Sequence, residues 1–575
     1  MKRKLVSSLV AVSSLSIGFV GMFSGVSSAL QNPTVLTEET NVGVTFINNF
    51  NPVDSQSVST QMATNALSYE PLIQYDSLKA NVWYPWLATS ETISPTGTVV
   101  TFTMNPKATW SNGQPLTAQH VANEFNELSS NATTNVFGIP TLARPATASG
   151  SKVTLTFSTP QFANVQALGG VLIFPVAADN IKGVAPSQYV TNGTQYMTAS
   201  QVLGNGPYLP TRYDTQLITY TYNPNWHITP KPYVSAVNIP SYVANSGATT
   251  ALAAHQLDWA GNDIPQAQKV FINSDPKHNH FYYPAGSTVT LWFNVSKGAP
   301  NGQTSCLGDP AFRNAISQAI NRNELSRIGE TGYEQPATSA SGMTPTQSAY
   351  MGIYRNSYNL NGWSKQQVTT YLTAHGYALS NGYFQVSSAT AQAATGLPAG
   401  TRCHFVIQDP ASYTDYAEDA SLISQELQDV GIDVGYTINN TGIWSANIYS
   451  RSFDAVVHWG AGGSNPYTQF ENWLDDSPTT GGSTDYGQYQ NAAAQSYLVQ
   501  LAGLAPGTPA FQSVVNNLSA IMATDVPVAP ILYGADWDAY TTSGFVGWVT
   551  PQDQYAYPGP GTNAVALIVT RLTKA

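Results

Sequence analysis

Charge is scarce in this sequence. Of 575 residues, 22 are Lys or Arg and 33 are Asp or Glu, so 10% are charged and the formal net charge is −11. An average soluble protein is roughly 25% charged. Disorder does not account for the deficit, because hydrophobic residues make up 42% and aromatic residues 11%, whereas disordered chains are poor in aromatics and rich in net charge. Nucleic-acid binding by a basic footprint is excluded as well, the sequence pI being about 5.1. Polarity comes instead from Ser, Thr, Asn and Gln, which predicts a large folded protein with a neutral surface.

Cysteine is nearly absent too. Only Cys306 and Cys403 occur, too few for a cysteine-based metal site, and no metal or cofactor is expected. The one tight histidine pair, His278 and His280, follows Asp275-Pro276 and reads as a solvated polar loop. Beyond the N-terminus no run of about 18 apolar residues occurs, so no membrane span is expected there. Catalytic motifs are also missing: there is no G-x-S-x-G, no H-E-x-x-H, no P-loop and no G-x-G-x-x-G. Carboxylate pairs such as Asp475-Asp476 exist, but glycoside chemistry depends on a spatial separation that spacing does not give.

What is present begins with Lys2-Arg3-Lys4, an apolar run from Leu5 to Val26, and the small residues Ser27-Ser28-Ala29. This predicts a secretory signal peptide over 1–29, an uncleaved anchor being the alternative. No cysteine lies near the expected cleavage site, so lipid anchoring is not expected and the chain should be exported to the periplasm or the exterior of the cell envelope. In that oxidising setting Cys306 and Cys403 are expected to be bridged, with two buried thiols as the alternative.

Strands are predicted at Val99–Met104 and Val153–Phe157 by alternation. A helix capped by Thr117 is predicted between them. Further helices are predicted over Pro310–Ile328, from apolar positions near a 3.6 period, and over Tyr416–Val430, the latter leading into a strand at Ile432–Tyr436. The fold class is therefore mixed α/β, in three or four units of roughly 150 residues, with no linker between them.

Several motifs, in order along the chain, resemble the family 5 extracellular solute-binding proteins of ABC importers, the peptide-, nickel- and oligosaccharide-type receptors. They are Asn51-Pro52 with Tyr69-Glu70-Pro71-Leu72, and Trp110-Ser111-Asn112-Gly113-Gln114-Pro115-Leu116-Thr117-Ala118 for the family's W-S-D-G-x-P-L-T-A. Next come Gly204-Asn205-Gly206-Pro207-Tyr208 and Asn223-Pro224-Asn225-Trp226. The last are Leu291-Trp292-Phe293-Asn294 and Phe312-Arg313-Asn314-Ala315-Ile316 through Asn321-Arg322. Asn112 and His120 replace two acids usual in the family.

The resemblance implies a two-lobed periplasmic-binding-protein-like α/β fold with an extra inserted domain and a hinge. Carried over, the base lobe takes 40–70, 200–286 and 528–575, the inserted domain 71–199 and the second lobe 287–527. It implies a monomeric, non-catalytic receptor that delivers an oligopeptide or an oligosaccharide to ABC permease subunits. A secreted hydrolase is the rival class.

By the same resemblance the ligand is held at Gln56, Ser57 and Val58, at Asn262 and Asp263, and at Trp459, Gly460, Ala461 and Gly462. Tyr533 and Trp537 are candidate walls, while Trp110, Trp226 and Tyr208 are read as packing residues. Gly462 falls where oligopeptide receptors carry the Asp that pairs with a free α-amino group. This favours an uncharged ligand unless Asp263 or another acid substitutes, and installing Asp at 462 is expected to favour free peptides. The low charge also predicts work in an acidic medium, since few basic groups leave little self-repulsion when carboxylates are protonated.

Overall fold

The computed structural model describes residues 34–79, 82–131, 134–175, 197–295, 306–476 and 485–575. The expected leader, 1–29, lies outside them. Residues 34–575 form one compact unit built on three main sheets.

The first is seven-stranded, in the order Asn279–Tyr282, Asp538–Thr541, Trp259–Ala260, Val35–Glu39, Ala236–Pro240, Leu217–Tyr222, Tyr208–Tyr213. Val35–Glu39 runs parallel to both of its neighbours, and the other pairs are antiparallel. The second, six-stranded, has the order Gln335–Pro336, Val528–Tyr533, Val289–Phe293, Ala455–Trp459, His404–Pro410, Asp433–Asn439. The third, four-stranded, orders Ala88–Ile93, Val99–Met104, Lys152–Phe157 and Leu142–Ser149, covered by the helix Ala118–Ser130. Each sheet has its own apolar core: Phe50, Tyr220 and Trp259 in the first, Phe312, Phe405 and Ile531 in the second, Phe102, Phe125 and Leu155 in the third.

The sheets are thus assembled from distant segments of the chain. Val528–Tyr533 pairs with Val289–Phe293 and completes the second lobe's sheet, so the last base-lobe segment starts after it rather than at 528. The base sheet also begins earlier than 40, with the fully buried Leu36 in its first strand.

Two segments cross between lobes, Tyr283–Thr288 and Gly534–Trp537, and they pair with each other. Ala285 bridges Ala535, and the Gly286 and Ser287 N–H groups donate to the Gly534 carbonyl at 3.1 and 3.2 Å. A two-stranded crossing of this kind lets a few residues absorb a rotation between rigid sheets.

The motifs turn out to be structural devices. Asn205 accepts from the Glu70 N–H at 2.7 Å, and Glu70 accepts from the Trp226 indole at 2.6 Å, tying three motifs together in the base lobe. Gly204 and Gly206 lie so close to the Ser68 and Leu67 carbonyls that a Cβ would sit 2.4 and 2.5 Å from them. Thr117 caps its helix as expected. His120 closes the capping box, its ring nitrogen also accepting from the Trp110 indole at 3.1 Å. The acid usual there is therefore replaced by another acceptor.

The helix expected over Pro310–Ile328 breaks. Pro310–Ala319 ends at an extended Ile320, and Asn321 caps a second short turn. The break lets the buried Arg322 guanidinium clamp the Pro530 carbonyl of the second sheet at 2.8 and 2.9 Å and the Ser317 carbonyl at 2.9 Å. The helix expected over Tyr416–Val430 spans Thr414–Asp429, followed by the strand Asp433–Asn439. Cys306 and Cys403 form a disulfide. The expected histidine loop is a turn only as far as His278, which bonds Asp275 at 2.8 Å. His280 lies in a strand and stacks on Tyr540.

Candidate functional site

A cavity of about 830 Å³ opens between the lobes and the inserted domain. It lies at the carboxyl ends of strands, where open α/β sheets leave backbone groups and loops free for a ligand. Val35–Glu39 ends in Glu39-Thr40-Asn41, and its parallel neighbour Trp259–Ala260 ends in Gly261-Asn262-Asp263. His404–Pro410 leads to Tyr413 and Asp415, and the parallel Ala455–Trp459 leads to Gly460 and Gly462. The inserted domain adds Gln74 and Gln166, and the C-terminal segment adds Tyr557 and Asn563.

Of the expected residues, Asn262, Asp263, Trp459, Gly460, Gly462 and Trp537 line this cavity, and Gln56, Ser57, Val58, Ala461 and Tyr533 do not. Ser57 is the buried N-cap of a short helix whose first residue, Val58, sits in the base-lobe core. Gln56 is exposed on the preceding turn. The lining stretch of this lobe edge is instead Thr40-Asn41-Val42, held by Thr40 Oγ1 donating to the Met62 carbonyl at 2.6 Å and Asn41 Nδ2 to the Gln61 carbonyl at 2.8 Å. Its signal was the end of a buried strand. Tyr533 belongs to the second-lobe core, where its hydroxyl meets Thr338 Oγ1 at 2.9 Å.

Trp459 is 44% exposed, an unusual state for an indole, with Tyr413, Tyr416 and Trp444 around it. It is a wall of the cavity rather than core. Its carbonyl oxygen lies 2.7 Å from Nδ1 of the buried His458, whose pKa burial pushes down to about 4. Trp537 stacks on Phe281 with rings 5.8 Å apart and 6° from parallel.

Gly462 is held by its neighbours. A Cβ there would stand 2.0 Å from the Gly286 carbonyl oxygen on the crossing segment, closer than real Cβ contacts come. No side chain fits that seat, so an Asp at 462 would push against the hinge instead of serving a ligand. An Asp at 462 is therefore expected to destabilise the crossing rather than to improve peptide binding.

The absent carboxylate at 462 does not leave the cavity without acids. Glu39, Asp263, Glu334, Asp415 and Asp536 all line it, with no Lys, Arg or His among the described lining residues. Burial disfavours their ionised forms. It pushes Glu39 up to about 8, and lifts Asp263 and Glu334 well above the usual carboxylate range, with the Asp415 charge adding to both. Asp415 rises to about 6 through burial, its rise restrained by the N–H groups at the start of its helix. Asp536 is raised by burial and by Asp538. Among the described residues no three His, Cys, Asp or Glu side chains are grouped to hold a metal ion, and no helix is long and apolar enough to cross a membrane.

Contacts cross the cavity. The Tyr413 hydroxyl of the second lobe donates to Asn41 Oδ1 of the base lobe at 2.8 Å, and the Ala267 N–H donates to the Tyr333 hydroxyl at 2.8 Å. The inserted domain meets the second lobe where the Ser464 hydroxyl donates to Gln166 at 2.8 Å. Two sheets closed over a lined cavity, joined by a paired crossing, define a two-lobed solute-binding protein.

The comparisons give the same class. A mannohexaose-bound periplasmic oligopeptide-binding protein of an oligopeptide ABC transporter from Thermotoga maritima superposes with a TM-score of 0.77 at 19% identity, over 95% of this chain and 99% of that one. The oligopeptide-binding protein AppA from Bacillus subtilis, in complex with a nonapeptide, gives 0.74 at 15% identity, over 94% and 99%. The nickel-binding periplasmic protein of Escherichia coli (strain K12) is 22% identical over 420 residues, 70% of this chain and 72% of that protein. Residues 82–481 match the family model of bacterial extracellular solute-binding proteins, family 5. The chain belongs to that family, whose members are solute-binding proteins of ABC importers rather than enzymes.

Proposed function

We propose that this protein captures a short oligopeptide between its lobes outside the cytoplasmic membrane and, as a monomer, delivers it to the membrane subunits of an ABC importer. The observation that carries the reading is the cavity at the strand ends, whose size is in the range of small-ligand sites of about 300–1,000 Å³. The strand-end stretches Thr40–Val42 and Gly261–Asp263 line the cavity, and such edges suit an extended chain, which binds largely through main-chain hydrogen bonds. Ligand contacts made in both lobes would favour the closed arrangement, because a ligand shifts an equilibrium by its differential affinity for the two states.

An oligosaccharide is the second reading. It is favoured by the exposed Trp459 face and by the side-chain amides of Asn41, Gln74, Gln166 and Asn563 on the walls, and by the mannohexaose held in a similar fold. We further propose an acidic working medium. The scarcity of basic residues supports it, as do the many buried carboxyls that accept no ion pair among the described residues.

Thermal-shift screening of the exported chain against di- to pentapeptides and linear oligosaccharides tests the reading, since a ligand that binds only the folded state must raise Tm. A rise with peptides alone supports the first reading and a rise with sugars alone the second. Failure of both panels would refute both ligand classes, and recovery of a hydrolysed ligand after incubation would count for a hydrolase instead.

A further inference from the structure

Three of the cavity's carboxyls come from opposite sides of it. Asp263 comes from the base lobe, at the end of Trp259–Ala260. Glu334 and Asp415 come from the second lobe, one beside the strand Gln335–Pro336 and the other in the first turn of Thr414–Asp429. The three side chains interact electrostatically with one another. Each is nearly enclosed, with relative exposures of 2%, 3% and 7%.

Each also has one fixed side. Glu334 Oε1 accepts from the Ala535 N–H of the crossing segment at 2.6 Å. Asp263 accepts from the Ile264 N–H, and Asp415 from N–H groups of its own helix end. Their remaining oxygens, Asp263 Oδ1, Glu334 Oε2 and Asp415 Oδ1, have no hydrogen-bond partner. A fourth buried acceptor, the side-chain oxygen of Asn262, is unpartnered as well, while its amide nitrogen is occupied by the Asp263 carbonyl at 2.7 Å and by Thr249 Oγ1 at 3.2 Å. Buried polar atoms are almost always satisfied, so four unpartnered oxygens on residues lining one cavity describe a place for a polar group of a ligand.

The surroundings supply no counter-charge. Glu330, Asp419 and Asp409, all fully buried, interact electrostatically with Asp415, and Glu426 and Glu418 with Asp419. On the base-lobe side Glu39 faces Tyr413, and Tyr333 faces Asp263. No ion pair among the described residues ends on any of the three. A bare metal ion does not fit, since no metal-holding group of side chains exists among the described residues. An organic cation does: it brings several donors, and the rings of Tyr413, Tyr416 and Trp459 beside Asp415 offer faces to its charge.

We propose that Asp263, Glu334 and Asp415 form a subsite that takes a cationic group of the ligand, a primary ammonium or a guanidinium, and holds it between the two lobes. This rests on the reading of the cavity as a peptide-binding site. It puts the charge-recognising acid away from position 462. One carboxyl ionises against the bound cation, and its neighbours stay protonated and share hydrogen bonds with it. An opposite charge at contact distance lowers a carboxyl pKa by one to three units, so binding in acid releases about one proton per ligand.

The test is calorimetry of the full exported chain at pH 5 in two buffers of different ionisation enthalpy. The probes are the tripeptide Ala-Lys-Ala with free amines and its twin acetylated at both amines. The expected result is at least tenfold tighter binding of the charged peptide, release of about one proton with it and none with the twin, and a gap that narrows towards pH 3. Glu334→Gln and Asp415→Asn, each checked for a cooperative melt, should shrink the gap at least fivefold by weakening the charged peptide more than its twin. Should neither variant fold, the comparison of twins on the unaltered protein still decides.

Equal affinity for the twins, or no proton release, overturns the subsite and leaves the receptor reading standing. Binding of mannohexaose with no heat from either peptide overturns the peptide reading and the subsite together.

Discussion

Asp538 offers a direct measure of how strongly this fold prefers protonated carboxyls. The group is buried in the strand that follows the second crossing, 1% exposed, and accepts from the Trp259 indole at 2.6 Å. Burial pushes its pKa up to about 7, against the opposing pull of the Trp259 and Gly559 N–H groups. An unfolded Asp titrates near 3.9, so about three units separate the two states, and at 1.36 kcal/mol per unit the folded state loses on the order of 4 kcal/mol between pH 4 and pH 8. The direction follows from which state holds the proton: with the folded pKa raised, the native chain binds more protons through this window and stability falls as pH rises.

Asp538→Asn removes the titration. Its oxygen can keep the Trp259 bond, but its NH2 group then faces the Gly559 N–H, which costs about 1–3 kcal/mol. The variant should therefore be less stable than the parent at pH 4 and more stable at pH 9, with the curves crossing between. Urea unfolding of both proteins across pH 4–9 reads this as a difference in slope. A constant difference within about 1 kcal/mol over the range would refute the reasoning, as would loss of the parent's fold by pH 4 for the proposed acidic medium.

Reducing the bridge between Cys306 and Cys403, or replacing both by Ala, releases a loop of 97 residues. In the chain-entropy model this should lower stability by about 4–5 kcal/mol, seen as a drop in the urea midpoint. Gly462→Ala should push the Gly286 carbonyl of the crossing segment, lowering Tm by the equivalent of about 1–3 kcal/mol and weakening any ligand that requires closure. An unchanged Tm there would mean the seat is looser than the 2.0 Å approach implies. Tyr413→Phe removes the bond to Asn41 across the cleft and should cost about 1 kcal/mol of closed-state stability. Small-angle scattering of the ligand-free variant should show a larger radius of gyration, and an unchanged profile would show that the bond does not hold the lobes.

Local structure was legible in the sequence because its causes are local. Thr117 announces its helix by a side chain that reaches its own third N–H. The alternation at Val99–Met104 and Val153–Phe157 marks two adjacent strands of one half-buried sheet. The helix expected as one piece from Pro310 to Ile328 is broken by a distant partner, since Arg322 must turn to reach the Pro530 carbonyl. The motif that spans that break was readable. Its reason was not, because 208 residues separate donor and acceptor.

The candidate site divides in the same way. Trp459, Gly460, Asn262 and Asp263, placed by the family resemblance, lie at or just beyond strand ends and line the cavity. Gln56, Ser57 and Val58 were placed by motif spacing alone, and a buried cap and a core valine take those positions instead. What the sequence by itself determined is the family, the α/β class and a composition poor in charge. Only the tertiary structure decided where that small stock of charge went. Asp263, Glu334 and Asp415 stand far apart along the chain, and no spacing rule joins them. Asp263 and Asp415 follow the carboxyl ends of strands and Glu334 directly precedes one, so the two sheets bring all three to one cavity, and burial there converts three ordinary acids into groups that hold protons or require a cation.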